Sequence, residues 1–298
     1  MNSFQRHTSK TLFATEHACV TYLFQKRWPW GFKCPFCMRL QPEVAPAYTV
    51  VCRYCRKQTS ITAHTLMHGS KKNLVAWMRV ASQFCFHDRG VSARELQRLM
   101  ELSCYQTAWS WLLKIRRGAS RAESAPCSGM VLFEVLPLPT SSVTDNKTID
   151  IGMALEMGQD NRDTARVRLL ALDMDTPEEI ATAISSLVAK NVILLLENRR
   201  WSDVSKLRAS YTLVPPTPQQ LAQGDLLMEE TSRWLDDLYH GAIDTGYLQS
   251  YLDEFCFRHN TASWPDRLAV LDHLLTGLIT SVDETTSTSR STARVRMT

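Results

Sequence analysis

Two C-x-x-C pairs constrain this chain more than any other feature. Cys34 and Cys37 are followed, after fourteen residues, by Cys52 and Cys55. In a C-x-x-C turn both thiolates face one metal, and two such turns supply the four soft ligands that tetrahedral zinc takes. Four protein ligands leave no position for water, so the expected zinc is structural. The segment between the pairs ends in Ala-Tyr-Thr-Val-Val, a β-branched and aromatic run suited to the strand that feeds the second turn. The unit expected over residues 31–62 is therefore a zinc ribbon. A redox motif needs only one pair, and structural disulfides are rare in a reducing compartment. His64 and His68 follow closely, but four thiolates already close the site. Lys33, Arg39, Arg53, Arg56 and Lys57 crowd around the cysteines and make the ribbon basic.

The whole chain of 298 residues carries a net charge of +4, which hides an asymmetry. Residues 1–120 hold 18 Lys and Arg against 5 Asp and Glu, and the remainder holds 16 against 25. A half at +13 joined to a half at −9 points to a polyanion meeting residues 1–120. No apolar run approaches the roughly 20 residues of a membrane span, and the first residues, MNSFQRHTSKTLF, lack the apolar core of a signal peptide. The expectation is a cytoplasmic, nucleoid-associated protein with no membrane and no small-molecule substrate. Of the other five cysteines (Cys19, Cys85, Cys104, Cys127, Cys256), four sit in apolar helical patterns where Cys packs as a small hydrophobe.

Residues 12–27 read as a short amphipathic helix capped by Thr15, within an N-terminal segment 1–30, and Trp28-Pro29 stops it. A basic connector with Lys71 and Lys72 leads to a helix over 73–87, with Leu74, Trp77, Met78, Ala81 and Phe84 on one stripe. Ser92 caps the next, with Glu95 at capping-box spacing. The turn at Glu101–Ser103 enters a second helix, 104–117, ending at Gly118. Two helices joined by a tight turn form a helix-turn-helix pattern, placed in a DNA-binding segment 70–118. Tyr105, Gln106, Thr107 and Ser110 would then reach base edges, and Lys114, Arg116 and Arg117 would reach phosphates.

Residues 119–130 are a small-residue linker, after which strands and helices alternate. Strands are expected over 131–138, 148–157 and 165–174, a helix over 177–190 and a buried strand over 191–198. A helix over 201–209 and a strand over 211–214 follow. The segment PPTPQQLAQGD reads as a loop, followed by helices over 227–240, 245–259 and 265–279. From residue 281 a Ser/Thr/Arg tail without core formers is expected to be disordered.

Three stretches carry a family resemblance: RWPWGFKCPFC, YCRKQTSITAHTLMHGSKKNLVAWM and GVSARELQRLMELSCYQTAWSWLLKIR. With RWLDDLYHGAIDTGYLQSYLDEFCFRHN late in the chain, they closely resemble zinc-ribbon insertion-sequence transposases, the bacterial relatives of Merlin elements. The resemblance implies an α+β multidomain chain: zinc ribbon, helix-turn-helix, then a ribonuclease-H-like α/β domain over 131–280. It also implies a double-stranded DNA partner and a homo-oligomer. The resemblance implies that such domains cut and join DNA with two metal ions held by an Asp on the first strand and a second Asp at the end of a later buried strand, the site being completed by an Asn or Glu, and in this branch a Lys, on a following helix.

On this chain the first-strand position falls on Phe133, which cannot ligate a hard cation. Glu134 is adjacent, but successive strand residues point to opposite faces. The second acid falls on Glu197, and the helix positions on Glu230 and Ser232. Asp145, Asp150, Asp173 and Asp175 are further acids nearby. The leading expectation is a transposase-derived DNA-binding protein without catalysis. The second is an active enzyme that uses Glu197, Glu230 and a third acid with Mg or Mn. The third is a zinc-ribbon protein-interaction module.

Overall fold

The computed structural model describes residues 11–70, 72–87, 89–138, 149–158, 164–172, 176–197, 205–239 and 243–280. Lys71, Asp145, Asp173, Asp175 and the tail from residue 281 lie outside them. The chain is mixed α+β and divides into two compact units. One comprises Met1–Phe86 and Arg267–Thr298, the other His87–Asp266. No helix among the described residues is long and apolar enough to cross a membrane.

The first unit contains helix α1 (Glu16–Arg27), two hairpins, helix α2 (Leu74–Phe86) and helix α9 (Arg267–Ile279). The hairpins are β1 (Phe32–Lys33) with β2 (Leu40–Gln41), and β3 (Thr49–Val51) with β4 (Gln58–Ser60), both antiparallel. Thr15 caps α1 as expected, its hydroxyl accepting from the Ala18 N–H at 3.2 Å. The Glu16 carboxylate accepts from the N–H groups of Leu74 and Val75 at 2.9 and 3.1 Å. It thereby serves two of the four donors that the start of α2 leaves without intrahelical partners. Arg27 donates to the carbonyls of Ser60, Ile61 and Ala63, which ties the ribbon's exit to α1. Helix α9 joins α1 through Asp272, which accepts from Lys26 at 2.6 Å and from Tyr22.

The second unit opens with α3 (Ala93–Leu99) and α4 (Tyr105–Ala122). Ser92 caps α3 by accepting from the Glu95 N–H at 3.2 Å. Helix α4 runs four residues beyond Gly118, because one glycine in a helix costs only about 1 kcal/mol. A five-stranded sheet follows in the order β7-β6-β5-β8-β9: Thr164–Ala171, Asp150–Met157, Met130–Pro137, Ile193–Leu195 and Thr212–Val214. The first three pair antiparallel, whereas β8 lies parallel to both β5 and β9. The apolar run expected as a strand over 191–198 forms ladder pairs only at its centre.

Apolar layers cover both faces of the sheet. Val131, Phe133 and Val135 pack with Ile180 and Ile184 of α5 (Pro177–Leu187). Leu132, Met153 and Leu155 pack with Leu227 and Leu235 of α7 (Pro218–Tyr239), and with Leu252 and Phe255 of α8 (Leu248–Thr261). Each such buried side chain contributes roughly 1.5–3 kcal/mol. The short α6 (Ser205–Arg208) precedes β9.

Two departures from expectation have local causes. The segment PPTPQQLAQGD is not a loop, since α7 begins at Pro218 within it. Thr217 Oγ1 accepts from the Gln220 N–H while Gln220 Oε1 accepts from the Thr217 N–H, a reciprocal cap with proline at the first helical position. The edge strand β7 is covered by side chains of α8. Gln249 bonds the N–H of Ala171 and the carbonyl of Leu169, and Asn260 does the same for both groups of Val167.

Candidate metal centres and nucleic-acid interface

The two C-x-x-C turns are built alike. In the first, the Cys34 N–H bonds the Arg39 carbonyl and the Met38 N–H bonds the Cys34 carbonyl. In the second, Cys52 bonds Lys57 and Arg56 bonds Cys52 in the same way. Met38 and Arg56 occupy equivalent left-handed positions, with φ of 60° and 61°. The turns bring all four sulfurs within 4.8 Å of one another, with Cys34–Cys55 and Cys37–Cys52 each at 3.6 Å. A tetrahedron with zinc–sulfur bonds of about 2.3 Å has an edge of about 3.8 Å, so the donor set fits that ion.

Gln41 supports the site, donating to the Cys52 sulfur at 3.2 Å and accepting from the Arg53 N–H at 3.1 Å. Burial pushes the Cys52 thiol up. The backbone N–H groups of Cys55 and Tyr54 and the neighbouring thiols outweigh that and bring it down to about 6. Thiolate is the form that ligates. His64 and His68 stack on each other at the surface and are not members of the cluster.

Most of the predicted nucleic-acid contacts are solvent-facing. Lys33, Arg53, Arg56, Lys57 and Lys72 are exposed in the first unit, although Arg53 is ion-paired with Glu43. On α4, Tyr105, Gln106, Ser110 and Arg117 are exposed, and Thr107 and Lys114 are half-buried. Gln106, Ser110 and Arg117 lie within about 40° of one another around the helix, so they form one stripe. Tyr105 also lines a cavity of about 380 Å³ with Arg94, Trp109 and Tyr251.

Arg116 departs from expectation. It is 2% exposed, bonds Glu254 at 2.7 Å and lies 4.1 Å from the centre of the Tyr251 ring. Arg258 bonds the same carboxylate at 2.8 Å, so Glu254 is a fully buried anion between two cations. Burial would raise Glu254, but the two guanidiniums hold it below the usual carboxylate range. Arg116 is thus the inward-facing residue that fastens α4 to α8 and is not available to phosphate. A long basic run at a helix end does not reveal which cation turns inward.

A group of acids lies in the sheet unit, around the residue next to the expected first-strand position Phe133. Phe133 is 1% exposed and packs on the α5 side, opposite Ala154. Glu134, opposite Met153, points to the α7 side as strand alternation requires. There α7 approaches so closely that a Cβ at Gly224 would collide with Glu134 Oε2. That oxygen is sealed from solvent without a hydrogen-bond partner among the described residues. Burial, then the negative charges of Asp225 and Glu197, push the Glu134 carboxyl up to about 7.

Glu197 lies two residues beyond the end of β8 and is exposed, as is Asp225 on α7. Glu230 lies five residues along α7 from Asp225, about 140° around the helix, and is exposed beside His259 Nδ1 at 4.0 Å. Ser232 is buried, and Asp150 begins β6 opposite Pro137, three positions along the ladder from Glu134. Carboxylates are hard donors suited to Mg or Mn. Among the described residues only the four cysteines gather three or more ligand atoms within 4.8 Å.

Sequence reasoning names Glu134 only to set it aside and does not single out Asp225. The alternation that excluded Glu134 is correct, but the acid-bearing face of the strand is its own and not that of Phe133. The chain matches no protein-family model, no curated protein and no solved structure.

Proposed function

We propose that this chain is a transposase-derived, zinc-stabilised DNA-binding protein whose sheet unit retains a metal-dependent site for cutting and joining DNA strands. The observation that carries the catalytic part is Glu134. It sits mid-way along the central strand, its inner oxygen has no partner among the described residues, and the charges acting on it come from Asp225 and Glu197. These three acids stand on a first strand, after a parallel neighbouring strand and on a later helix. The element order agrees with the one the resemblance implies, with Asp225 in place of Glu230 on the helix, and the 3-2-1-4-5 arrangement of the sheet supports a ribonuclease-H-like reading. Bound there, a divalent cation would stabilise charge on the attacking and leaving oxygens of an in-line phosphoryl transfer. Glu134, Glu197 and Asp225 would hold it. DNA recognition is assigned to the basic ribbon and to the Gln106, Ser110 and Arg117 stripe of α4.

One observation favours the non-catalytic reading. The carboxylate oxygens do not converge as the four sulfurs do. Strand cleavage separates the two. Duplex DNA carrying candidate element ends is incubated with manganese and wild type, Glu134→Gln, Glu197→Gln or Asp225→Asn. Cleavage by wild type, lowered about a hundredfold or more by each substitution, is the expected result. Salt-dependent binding without cleavage by wild type would establish the DNA-binding scaffold instead. No salt-dependent binding to any duplex would leave the interaction module.

A further inference from the structure

The two C-x-x-C turns share more than cysteines. Each places an aromatic residue just before its second cysteine and a cation two residues after it: Phe36 and Arg39 in the first, Tyr54 and Lys57 in the second. The cations cross over. Arg39 lies 4.5 Å from the centre of the Tyr54 ring, and Lys57 lies 4.6 Å from that of Phe36. The ribbon therefore presents two ring–cation pairs in a pseudo-twofold arrangement around the four sulfurs. Arg53 adds a third cation, 4.8 Å from the Tyr54 ring.

These rings are not core residues. Phe36 is 50% exposed and Tyr54 43%. Around them residues 32–60 carry five cations and a single carboxylate, Glu43, which is paired with Arg53. Neither Arg39 nor Lys57 has a carboxylate partner among the described residues. Cations alone would serve to hold the phosphates of a duplex. Exposed rings ask for something more. In a duplex the bases cover one another's faces, whereas an unpaired base offers a free face to an aromatic ring, and ring–cation surfaces are how sequence-tolerant single-strand binders work.

We infer that the paired turns of the ribbon bind unpaired nucleotides, with bases stacked on Phe36 and Tyr54 and phosphates neutralised by Arg39, Lys57 and Arg53. The inference deepens the DNA-binding reading, because strand ends opened during cutting and joining are single-stranded. It assigns the ribbon a ligand distinct from that of α4.

The test uses the full zinc-loaded chain and follows fluorescence anisotropy of a labelled oligothymidylate and of a blunt duplex. Zinc content is measured for every variant. Phe36→Ala with Tyr54→Ala is expected to weaken oligothymidylate binding about tenfold or more, while duplex binding changes less than about threefold. Phe36→Tyr with Tyr54→Phe is expected to retain wild-type affinity, because the rings remain. Arg39→Gln with Lys57→Gln is expected to weaken oligothymidylate binding and to flatten its salt dependence.

A wild type that binds duplex but not oligothymidylate overturns the inference and leaves the DNA-binding reading standing. Equal loss on both probes in the alanine variant also overturns it. Binding of oligothymidylate without duplex would support the ribbon assignment and sink the duplex reading of α4.

Discussion

Glu134 stands in a strand whose neighbours are apolar, and its cost depends on pH. In the folded chain its carboxyl titrates at about 7, against 4.5 for an ordinary glutamate. Between those values the folded state binds a proton that the unfolded state has lost. Stability therefore falls as pH rises through that window and levels off above it. Glu134→Gln should remove the decline. In buffer without added divalent cation, the variant is expected to be more stable than wild type at pH 8 by about 1–2 kcal/mol, after discounting for solvent screening. Near pH 4.5 the two should unfold alike. Urea titrations at both pH values check this, and an unchanged midpoint at pH 8 would mean that the carboxyl is better solvated than its burial implies.

At this scale the sequence identified the four cysteines outright, because their spacing is itself the geometry of the site. It left the facing of Glu134 open, because a single strand's alternation says which residues share a face but not which face meets α7. That choice is made by Gly224, whose missing side chain leaves room for the carboxylate. Arg116 was unreadable for a related reason. Its partner Glu254 lies 138 residues away, and no local pattern marks one arginine of a basic run as buried.

Helix α8 seals a sheet edge by imitating a strand. Gln249 and Asn260 are eleven residues apart, about three turns, so their amides project along one side of the helix. Together they bond backbone groups of Val167, Leu169 and Ala171 that an edge strand would otherwise offer to another chain. Asn260→Ala is expected to cost about 1–3 kcal/mol by leaving the Val167 groups unmet. Hydrogen exchange at the Val167 amide should speed up, and light scattering on warming should begin at lower temperature. Unchanged exchange would mean that another group or water replaces the amide.

Elements were readable where their signals are local. The caps at Thr15 and Ser92 were expected and are found. The start of α7 was written in Thr-Pro-Gln-Gln, a reciprocal cap obscured by the two prolines before it. The length of β8 was not readable, since a continuous apolar run does not say how many of its residues find ladder partners.

On the scale of the whole molecule, the ribbon unit is discontinuous in sequence. Helices α1 and α2 come early and α9 comes after residue 266, yet α9 supplies the Asp272 contact to Lys26 and Tyr22 and accepts the Leu66 N–H at Leu278. Nothing local announces a pairing across some 250 residues. A chain ending at Asp266 is expected to lose protection of α1 and α2 in limited proteolysis, while fragments from His87–Asp266 persist. Equal resistance would show that α9 is dispensable to its unit.

The same discontinuity has a consequence for the chain as it leaves the ribosome. The stretch between Phe86 and Arg267 takes roughly 10–40 s to synthesise. Throughout that interval α1 and α2 wait with an apolar face uncovered. A nascent or prematurely stopped polypeptide therefore lacks a finished ribbon unit, and the DNA binding proposed for that unit would be delayed until the sheet unit has also been made.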